Sequence, residues 1–303
     1  MKKHCKALEL DKILHKVSEK AVIDEAKDRI ESLEPSYKFE EVSRLVEQTS
    51  DALSLSLRFG LPRFQNLKNP ESFLKRCSAG GVLSNLDLLS VAAVLRQARL
   101  LLEWKGQTDT VGSLKPFFEA LAQRKQLEER IFDSILSEDE IDDSASEALF
   151  SIRRKIRNLH TKARDHLDKM IRSPSYQKYL QDAIVTIRDG RFVVPVKAEY
   201  RNEVPGLVHD TSASGATMFI EPVSVVEVNN EVRVLQAQEK EEIERILAEL
   251  SALCADVAEE IQADFDYSVT LNVIFAKSEY ALDIKATTPV VADDGRILLK
   301  KAR

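Results

Sequence analysis

Basic side chains gather in and beside one β-rich stretch of this chain, and their chemistry is that of phosphate contact. The stretch, residues 184–221, alternates like β-strands and is rich in β-branched residues. Ammonium and guanidinium groups neutralise phosphates whatever the base sequence. The predicted contact residues are Lys178, Arg188, Arg191, Lys197, Arg201 and His209. The alternative is a solvated charged surface, and for His209 an ordinary position on a surface strand.

Patterns for catalysis or metal binding are weak. No GxxxxGK[ST] loop occurs, so the usual cradle for a nucleoside triphosphate is missing. Ser212 and Ser214 precede Gly215 outside any GxSxG pattern, in a polar loop typical of a turn that satisfies its own backbone. His160 and His166 are six residues apart, which is not the i, i+4 spacing of metal ligands on a helix. We expect no catalytic residues, no metal site and no cofactor within this sequence.

Two long helical patterns flank the β-rich stretch and position it. Apolar residues recur every three or four positions over 144–173 and again over 225–264. This spacing favours coiled-coil-like pairing, so we predict an antiparallel two-helix arm with the β stretch at its tip. The alternative is an ordinary helix pair in a compact bundle. Acidic residues at 137–143 favour a helix start over a metal site, because negative charge is stabilised there.

Charge is divided along the predicted arm. Residues 150–202 carry 13 Lys and Arg against 5 Asp and Glu, whereas residues 221–264 carry 3 against 12. A basic helix beside an acidic helix favours their pairing and partly neutralises the basic one. Free basic charge is therefore expected at the tip, and such local patches bear on nucleic-acid contact more than the formal net charge of −6 does.

The tip is predicted to contain two strand pairs. Asp189-Gly190 between two β-branched runs is a strong hairpin signal. Pro195 implies an edge strand or a bulge, because proline cannot donate to a β-ladder. A second pair is predicted from residues 206–209 and 217–220. A further hairpin is predicted at 290–299, around another Asp-Gly sequence.

The remaining sequence predicts a helical core. Ser84 and Asp87 have the spacing of a capping box, ahead of a strongly apolar helix at 86–103. We predict a discontinuous core of residues 1–122 and 265–303, and a lever and clamp domain of residues 123–264. The predicted fold class is mainly α with a small antiparallel β insert: a helical core plus a long antiparallel two-helix arm, or lever, carrying a β-rich clamp tip.

Composition limits the class of protein. Apolar residues make up 44% of the chain and charged residues 31%, which indicates a charge-rich folded protein. No apolar run reaches the ~20 residues that a membrane span needs, and no apolar signal core follows Met1. Cys5, Cys77 and Cys254 form no CxxC pattern, so reduced thiols are the simplest account. We expect a cytoplasmic location and no membrane partner.

Several segments carry a family resemblance across essentially the whole chain. The segment 205–222, PGLVHDTSASGATMFIEP, is the most specific of them. The others are residues 7–14, 80–84, 140–146 and 188–197. On these segments the chain resembles the MutS family, and specifically its second bacterial paralogue.

The resemblance implies a helical core, a lever and a clamp. It also implies an ATPase domain with Walker motifs, using ATP and Mg, after Arg303, and an endonuclease domain further on. This sequence contains neither, so no enzyme activity is expected of it, and homodimerisation is expected mainly through the ATPase domain. The family is linked to branched DNA, to suppression of recombination and to collided ribosomes. The implied partners are therefore DNA, ribosomal RNA or both.

Residues and resemblance together predict a nucleic-acid clamp. The rival hypothesis is a structural arm whose β tip docks a protein, and exposure of Phe192, Val194 and Phe219 would favour it. Tyr200 and Phe192 look isolated in the sequence, which gives no aromatic platform for stacking bases. This argues against specialisation for single strands.

Overall fold

The computed structural model describes residues 7–108 and 110–298, which fall into two compact units. The first unit contains residues 1–140 and 247–303, and the second contains residues 141–246. The predicted domain boundaries, at residues 122 and 264, stay a prediction. Cys5 and Leu299, the last residue of the predicted C-terminal hairpin, lie outside the described residues.

Helices build the first part of the chain. They are α1 (Leu10–Ser18), α2 (Asp24–Glu31), α3 (Phe39–Phe59), α4 (Glu71–Ser78), α5 (Asn85–Lys105), α6 (Lys115–Glu119) and α7 (Lys125–Ser134). The capping box predicted at α5 is confirmed: the Ser84 hydroxyl accepts from the Asp87 N–H, and the Asp87 carboxylate accepts from the Ser84 N–H. Each bond satisfies a group that has no partner inside the helix.

Two short strands, β1 (Ile135–Ser137) and β2 (Glu140–Ile141), lead to the helices α8 (Glu147–Arg172) and α9 (Pro174–Gln177). The β-rich insert then contains β3 (Thr186–Arg188), β4 (Arg191–Lys197), β5 (Gly206–Thr211) and β6 (Thr217–Pro222). The chain continues as α10 (Val223–Asp256) and α11 (Ala258–Asp283). The fold is mainly α with a small antiparallel β insert, which confirms the predicted class. No helix of the described residues is long and apolar enough to span a membrane.

The core of the first unit forms around α11, which packs against α3 and α5. Ile274 and Phe275 of α11 belong to one apolar cluster with Ala52 and Trp104. The Trp104 ring meets Phe275 edge-on, with the ring centroids 5.3 Å apart. Val269 is also fully buried. This segment therefore contributes to the core of the first unit.

The sheet of the second unit has the order β3-β4-β6-β5, with every pair antiparallel. Asp189 and Gly190 turn the first hairpin with φ values of 47° and 74°, a combination that the Asp-Gly sequence favours. Both predicted strand pairs are confirmed. The register of β5 shifts between Val208 and Asp210, so His209 is the extra residue of a bulge.

Pro195 does not lie on an edge strand, because β4 is an interior strand between β3 and β6. Instead it lies where β4 changes partner. β3 pairs with β4 only as far as Val193. Beyond it, the segment 179–181 takes over: the Gln181 N–H donates to the Pro195 carbonyl at 2.9 Å, and the Lys197 N–H donates to the Tyr179 carbonyl at 3.0 Å.

Two further expectations differ from the structure. The helix predicted over 225–264 breaks at Val257, whose φ and ψ are −124° and 24°. α11 then begins at Ala258 and carries Glu259 and Glu260 in its first turn, where negative charge is favoured by the helix dipole. The described residues 284–298 contain no strand, so the predicted hairpin is absent from them. A lone two-stranded hairpin is marginal without a sheet to join.

Candidate nucleic-acid interface

α8 and the first part of α10 lie antiparallel and support the sheet. The Ser146 hydroxyl donates to Glu242 at 2.7 Å, and Arg153 Nε donates to Glu239 at 2.7 Å. Hydrogen bonds from Arg245 and then Ser146 lower the pKa of Glu242 to about 2. Later in α8 and earlier in α10, an apolar cluster contains Ile156, Leu159, Val232 and Leu235. This order of contacts agrees with the predicted antiparallel pair, whereas coiled-coil geometry stays a prediction.

The sheet closes over these helices through a second apolar cluster. Its buried members are Ala163, Leu167, Ile171, Leu180, Phe192, Val194, Val196, Val204, Ile220 and Val225. Phe192 and Val194 are therefore inside the unit, and they are not available for docking a protein. The aromatic ring of Phe192 also meets the His160 ring edge-on at 5.2 Å, which gives that histidine a packing role.

A fully buried carboxylate, Glu221, joins β6 to β4, β5 and α10. Arg191 Nη1 donates to its two oxygens at 2.8 and 3.0 Å. Asn229 Nδ2 donates to it at 2.7 Å, and the His209 ring contacts its second oxygen. An unpaired buried charge is costly, so these neighbours hold the carboxylate in place.

Arg191 and His209 thus face inward. The Arg191 side chain is 14% exposed, and its other terminal nitrogen donates to Asn230 at 2.8 Å. His209 is 21% exposed, and its Nε2 is in contact with Glu221. Of the six predicted contact residues, these two contact the buried carboxylate of Glu221. A phosphate role for them stays a prediction.

Arg188 is exposed at the end of β3. Its Nε lies 3.4 Å from an Asp210 oxygen, and its guanidinium lies 4.3 Å from the centre of the Phe219 ring. An exposed ion pair at this distance contributes little to stability, so another anion can readily take the place of Asp210 beside Arg188. The aromatic face orients Arg188 without neutralising it.

Lys178, Lys197 and Arg201 lie together near the C-terminal end of β4. Lys197 Nζ donates to the Lys178 carbonyl at 3.4 Å, and Arg201 follows in the 3-10 helix Ala198–Glu203. Hydrogen bonding to Tyr179, and then nearby charge including Glu203, raises the pKa of Lys178. None of the three cations has a carboxylate partner in the part of the chain that the structure describes. They are therefore open to an external anion.

The weaker sequence candidates have local structural roles. Asp142 accepts from the Ser144 N–H at 2.7 Å, and Asp143 pairs with Arg153 at 2.7 Å. The Ser212 hydroxyl accepts from the Thr217 N–H at 3.1 Å within its own loop. Over residues 7–108 and 110–298, no three His, Cys, Asp or Glu side chains come together as a metal site requires.

Known proteins are similar in sequence to this chain along almost its full length. Endonuclease MutS2 of Acetivibrio thermocellus is 42% identical over 305 residues, covering 99% of this chain and 38% of that protein. Endonuclease MutS2 of Ruminiclostridium cellulolyticum is 41% identical over 301 residues, covering 98% and 38% respectively. The chain belongs to the MutS2 family. It spans 38% of the length of these relatives, and no family model matches it.

The second unit of this MutS2-family chain also holds a polar cleft that sequence reasoning missed. The cleft has a volume of about 470 Å³ and lies beside the Glu221 network. Its lining includes Asp189, Gly190, Arg191, His209, Asn229, Arg233 and Gln236. Arg233 is exposed there, with no ion pair among the described residues. It was overlooked because it belongs to an acidic stretch, whose average charge hides one outward cation.

Tyr179 is a second residue that the sequence reasoning missed. Its ring centre lies 5.4 Å from that of Tyr200, so Tyr200 is not isolated as the sequence suggested. The tip of this MutS2-family chain therefore holds a pair of aromatic rings, while the absence of a base-stacking platform stays a prediction. The signal was present as aromatic and basic residues interleaved at 176–179, but pairing with β4 brings the two rings together, and that contact is not local.

Proposed function

We propose that the second unit of this MutS2-family chain binds nucleic acid by contacting backbone phosphates. The observation that carries the proposal is a group of cations beside β4 that lack carboxylate partners among the described residues: Lys178 and Arg201, which are exposed, and Lys197, which is half-buried. Arg188, the last residue of β3, adds a fourth cation to this group. Phosphate contact of this kind is independent of sequence and weakens with salt.

The Glu221 network supports the same proposal from inside. Because Arg191 pairs with the buried Glu221 carboxylate, His209 contacts it and Asn229 donates to it, these contacts fix β4 and β5 against α10. The free cations on the surface are then presented by a fixed sheet, and less conformational entropy is lost on binding. Arg191 and His209 act here as positioning residues.

The partner class comes from family membership and stays part of the proposal. We propose duplex or branched DNA, or structured ribosomal RNA, as the polymer, with a part in suppression of recombination or in ribosome rescue. The longer relatives are named endonucleases. We propose that ATP and Mg binding, nuclease activity and homodimerisation belong to the parts of the longer relatives that this chain does not match. The residues of this chain do not fit ATP, since they offer no phosphate-binding loop.

Reversal of the free cations tests the proposal. A variant with Lys178, Arg188, Lys197 and Arg201 changed to Glu should bind duplex DNA, branched DNA and ribosomal RNA at least about tenfold more weakly at about 50 mM salt. Fluorescence anisotropy measures this. The matched control reverses Lys16, Arg58, Lys68 and Lys115, exposed cations of the first unit, and has the same net charge. Equal weakening in both variants, or none in the first, would refute the proposal.

Protein docking remains the second candidate because the outer strands expose apolar side chains. Ile187 of β3 is 52% exposed and Leu207 of β5 is 53% exposed. They lie on opposite edges of the sheet, so they do not form one patch. Substituting both with Thr should leave nucleic-acid affinity within about twofold if the sheet binds phosphates, since β-strands tolerate Thr.

A further inference from the structure

Two tyrosines and two lysines form one cluster on the second unit, here called the Tyr–Lys cluster: Lys178, Tyr179, Lys197 and Tyr200. The Tyr179 and Tyr200 ring centres are 5.4 Å apart, with the ring planes inclined by 53°. Lys178 Nζ lies 4.7 Å from the centre of the Tyr179 ring, and Lys197 Nζ lies 5.9 Å from that of Tyr200. Each ring therefore has a cation over it.

The backbone holds this cluster in place. The Lys197 N–H donates to the Tyr179 carbonyl, and Leu180 forms a β-bridge with Val196. Leu180 and Val196 are both buried in the cluster that closes the sheet over the helices. Tyr179 and Tyr200 pack against the same apolar cluster but stay only half-buried. The rings are thus supported from one side and open on another.

The two lysines are held by weak partners. Their neighbours are ring faces, a backbone carbonyl and, for Lys178, hydrogen bonding to Tyr179 with the charge of Glu203 nearby. Neither lysine forms an ion pair within residues 7–108 and 110–298. Lysine ammonium groups sit on long flexible stems, so they move from a ring face to a phosphate at small cost. That movement uncovers an aromatic face beside the phosphate.

We infer that the Tyr–Lys cluster binds an unpaired nucleotide, with its base stacked on Tyr179 or Tyr200 and its phosphate on Lys178 or Lys197. Proteins that bind single-stranded nucleic acid combine aromatic side chains with cations, because every base has a π face that can stack on an aromatic ring. A base inside a duplex already has both faces covered. The cluster therefore favours a single strand, a frayed end or a branch point, and the inference rests on the proposed nucleic-acid binding while adding preference for unpaired bases.

Binding measurements separate stacking from charge. The chain should bind a duplex carrying an oligothymidylate flap, and free oligothymidylate or oligouridylate, about tenfold more tightly than the blunt duplex at equal salt. The variant with Tyr179→Leu and Tyr200→Leu should lose that preference and keep its affinity for the blunt duplex. The variant with Tyr179→Phe and Tyr200→Phe keeps the rings and should retain the preference within about twofold.

A second measurement on the unaltered chain does not depend on how the Leu variant folds. A flap carrying 5-iodouracil should photo-crosslink to Tyr179 or Tyr200, as located by mass spectrometry. Crosslinks confined to other residues would overturn the inference.

The possible failures are distinct. If blunt and flapped DNA bind equally, or if the Phe variant loses as much as the Leu variant, the stacking site is wrong and the proposed function stands. If neither polymer binds, both fail. If polyglutamate competes as well as oligothymidylate at matched charge, the cluster is a general anion surface and the inference is wrong.

Discussion

At the scale of single residues, Glu221 decides which cations of the second unit are free. The carboxylate is fully buried and takes Arg191 and His209 as partners. Lys178, Lys197 and Arg201 have no such partner among the described residues; Lys178 and Arg201 are exposed and Lys197 is half-buried. A count of basic residues in the sequence treats all of these alike, although only some can meet a phosphate.

Removing the Glu221 carboxylate should destabilise the sheet. Glu221→Ala leaves Arg191 largely buried without its ion pair, which costs about 2–4 kcal/mol. Glu227→Ala, which removes an exposed acid of the following helix α10, should change stability by less than about 0.5 kcal/mol. Urea unfolding followed by circular dichroism compares them. Similar small effects from both variants would contradict the structural role given to Glu221.

Asp264 makes the stability of the first unit depend on pH. Its Oδ1 accepts from the Ala122 N–H at 2.8 Å, while Oδ2 has no partner among the described residues. Burial raises the pKa of this carboxyl from 3.8 to about 7. The folded state therefore binds the proton more tightly than the unfolded state, so stability is full below about pH 4 and is lost as pH rises to about 7.

Asp264→Asn should remove that dependence. The amide oxygen can still accept from Ala122, and the side chain carries no charge at any pH. The variant should be more stable than the natural chain at pH 8 by about 1–4 kcal/mol, and the difference should shrink towards pH 4. Thermal melts across this range measure it. A constant difference at all pH values would show that Asp264 does not titrate between them.

At the scale of elements, the packing of α8 against α10 can be tested with two matched variants of α10. Val232 is 1% exposed in the cluster with Ile156 and Leu159, whereas Val234 on the same helix is 57% exposed. Val232→Ala should cost about 1–3 kcal/mol, because it leaves a cavity between the helices. Val234→Ala should cost less than about 0.5 kcal/mol. Equal costs in urea unfolding would mean that the helices do not pack through this face.

The same elements show what sequence can predict. Helices α5 and α8 and the Asp189-Gly190 hairpin come from periodicity, caps and turn chemistry, which act over a few residues. The break at Val257 could not be predicted in this way, because no glycine or proline lies near it in the sequence. The pairing of Tyr179 with Lys197 joins segments far apart in sequence, and no periodic pattern marks it. The Tyr–Lys cluster was therefore unpredictable from spacing, although its residues were visible.

At the scale of the whole molecule, net charge and binding surface are separate properties. The chain carries a formal charge of −6, yet the acids of α10 are drawn partly into contacts with α8, as Glu239 is with Arg153 and Glu242 with Ser146. Repulsion of a polyanion by the whole chain is screened beyond about 8–10 Å at physiological salt. A local group of free cations can then dominate close contact.

The salt dependence of binding measures how many of these cations act. If Lys178, Arg188, Lys197 and Arg201 each neutralise one phosphate, the logarithm of the affinity for duplex DNA should fall against the logarithm of salt with a slope of about −3.6. Lys197→Gln should reduce the slope by about 0.9, since one counterion fewer is released. Lys68→Gln in the first unit changes net charge equally and should leave the slope unchanged. If both variants lower it alike, affinity follows the overall charge of the chain and the local cations beside β4 do not form the interface.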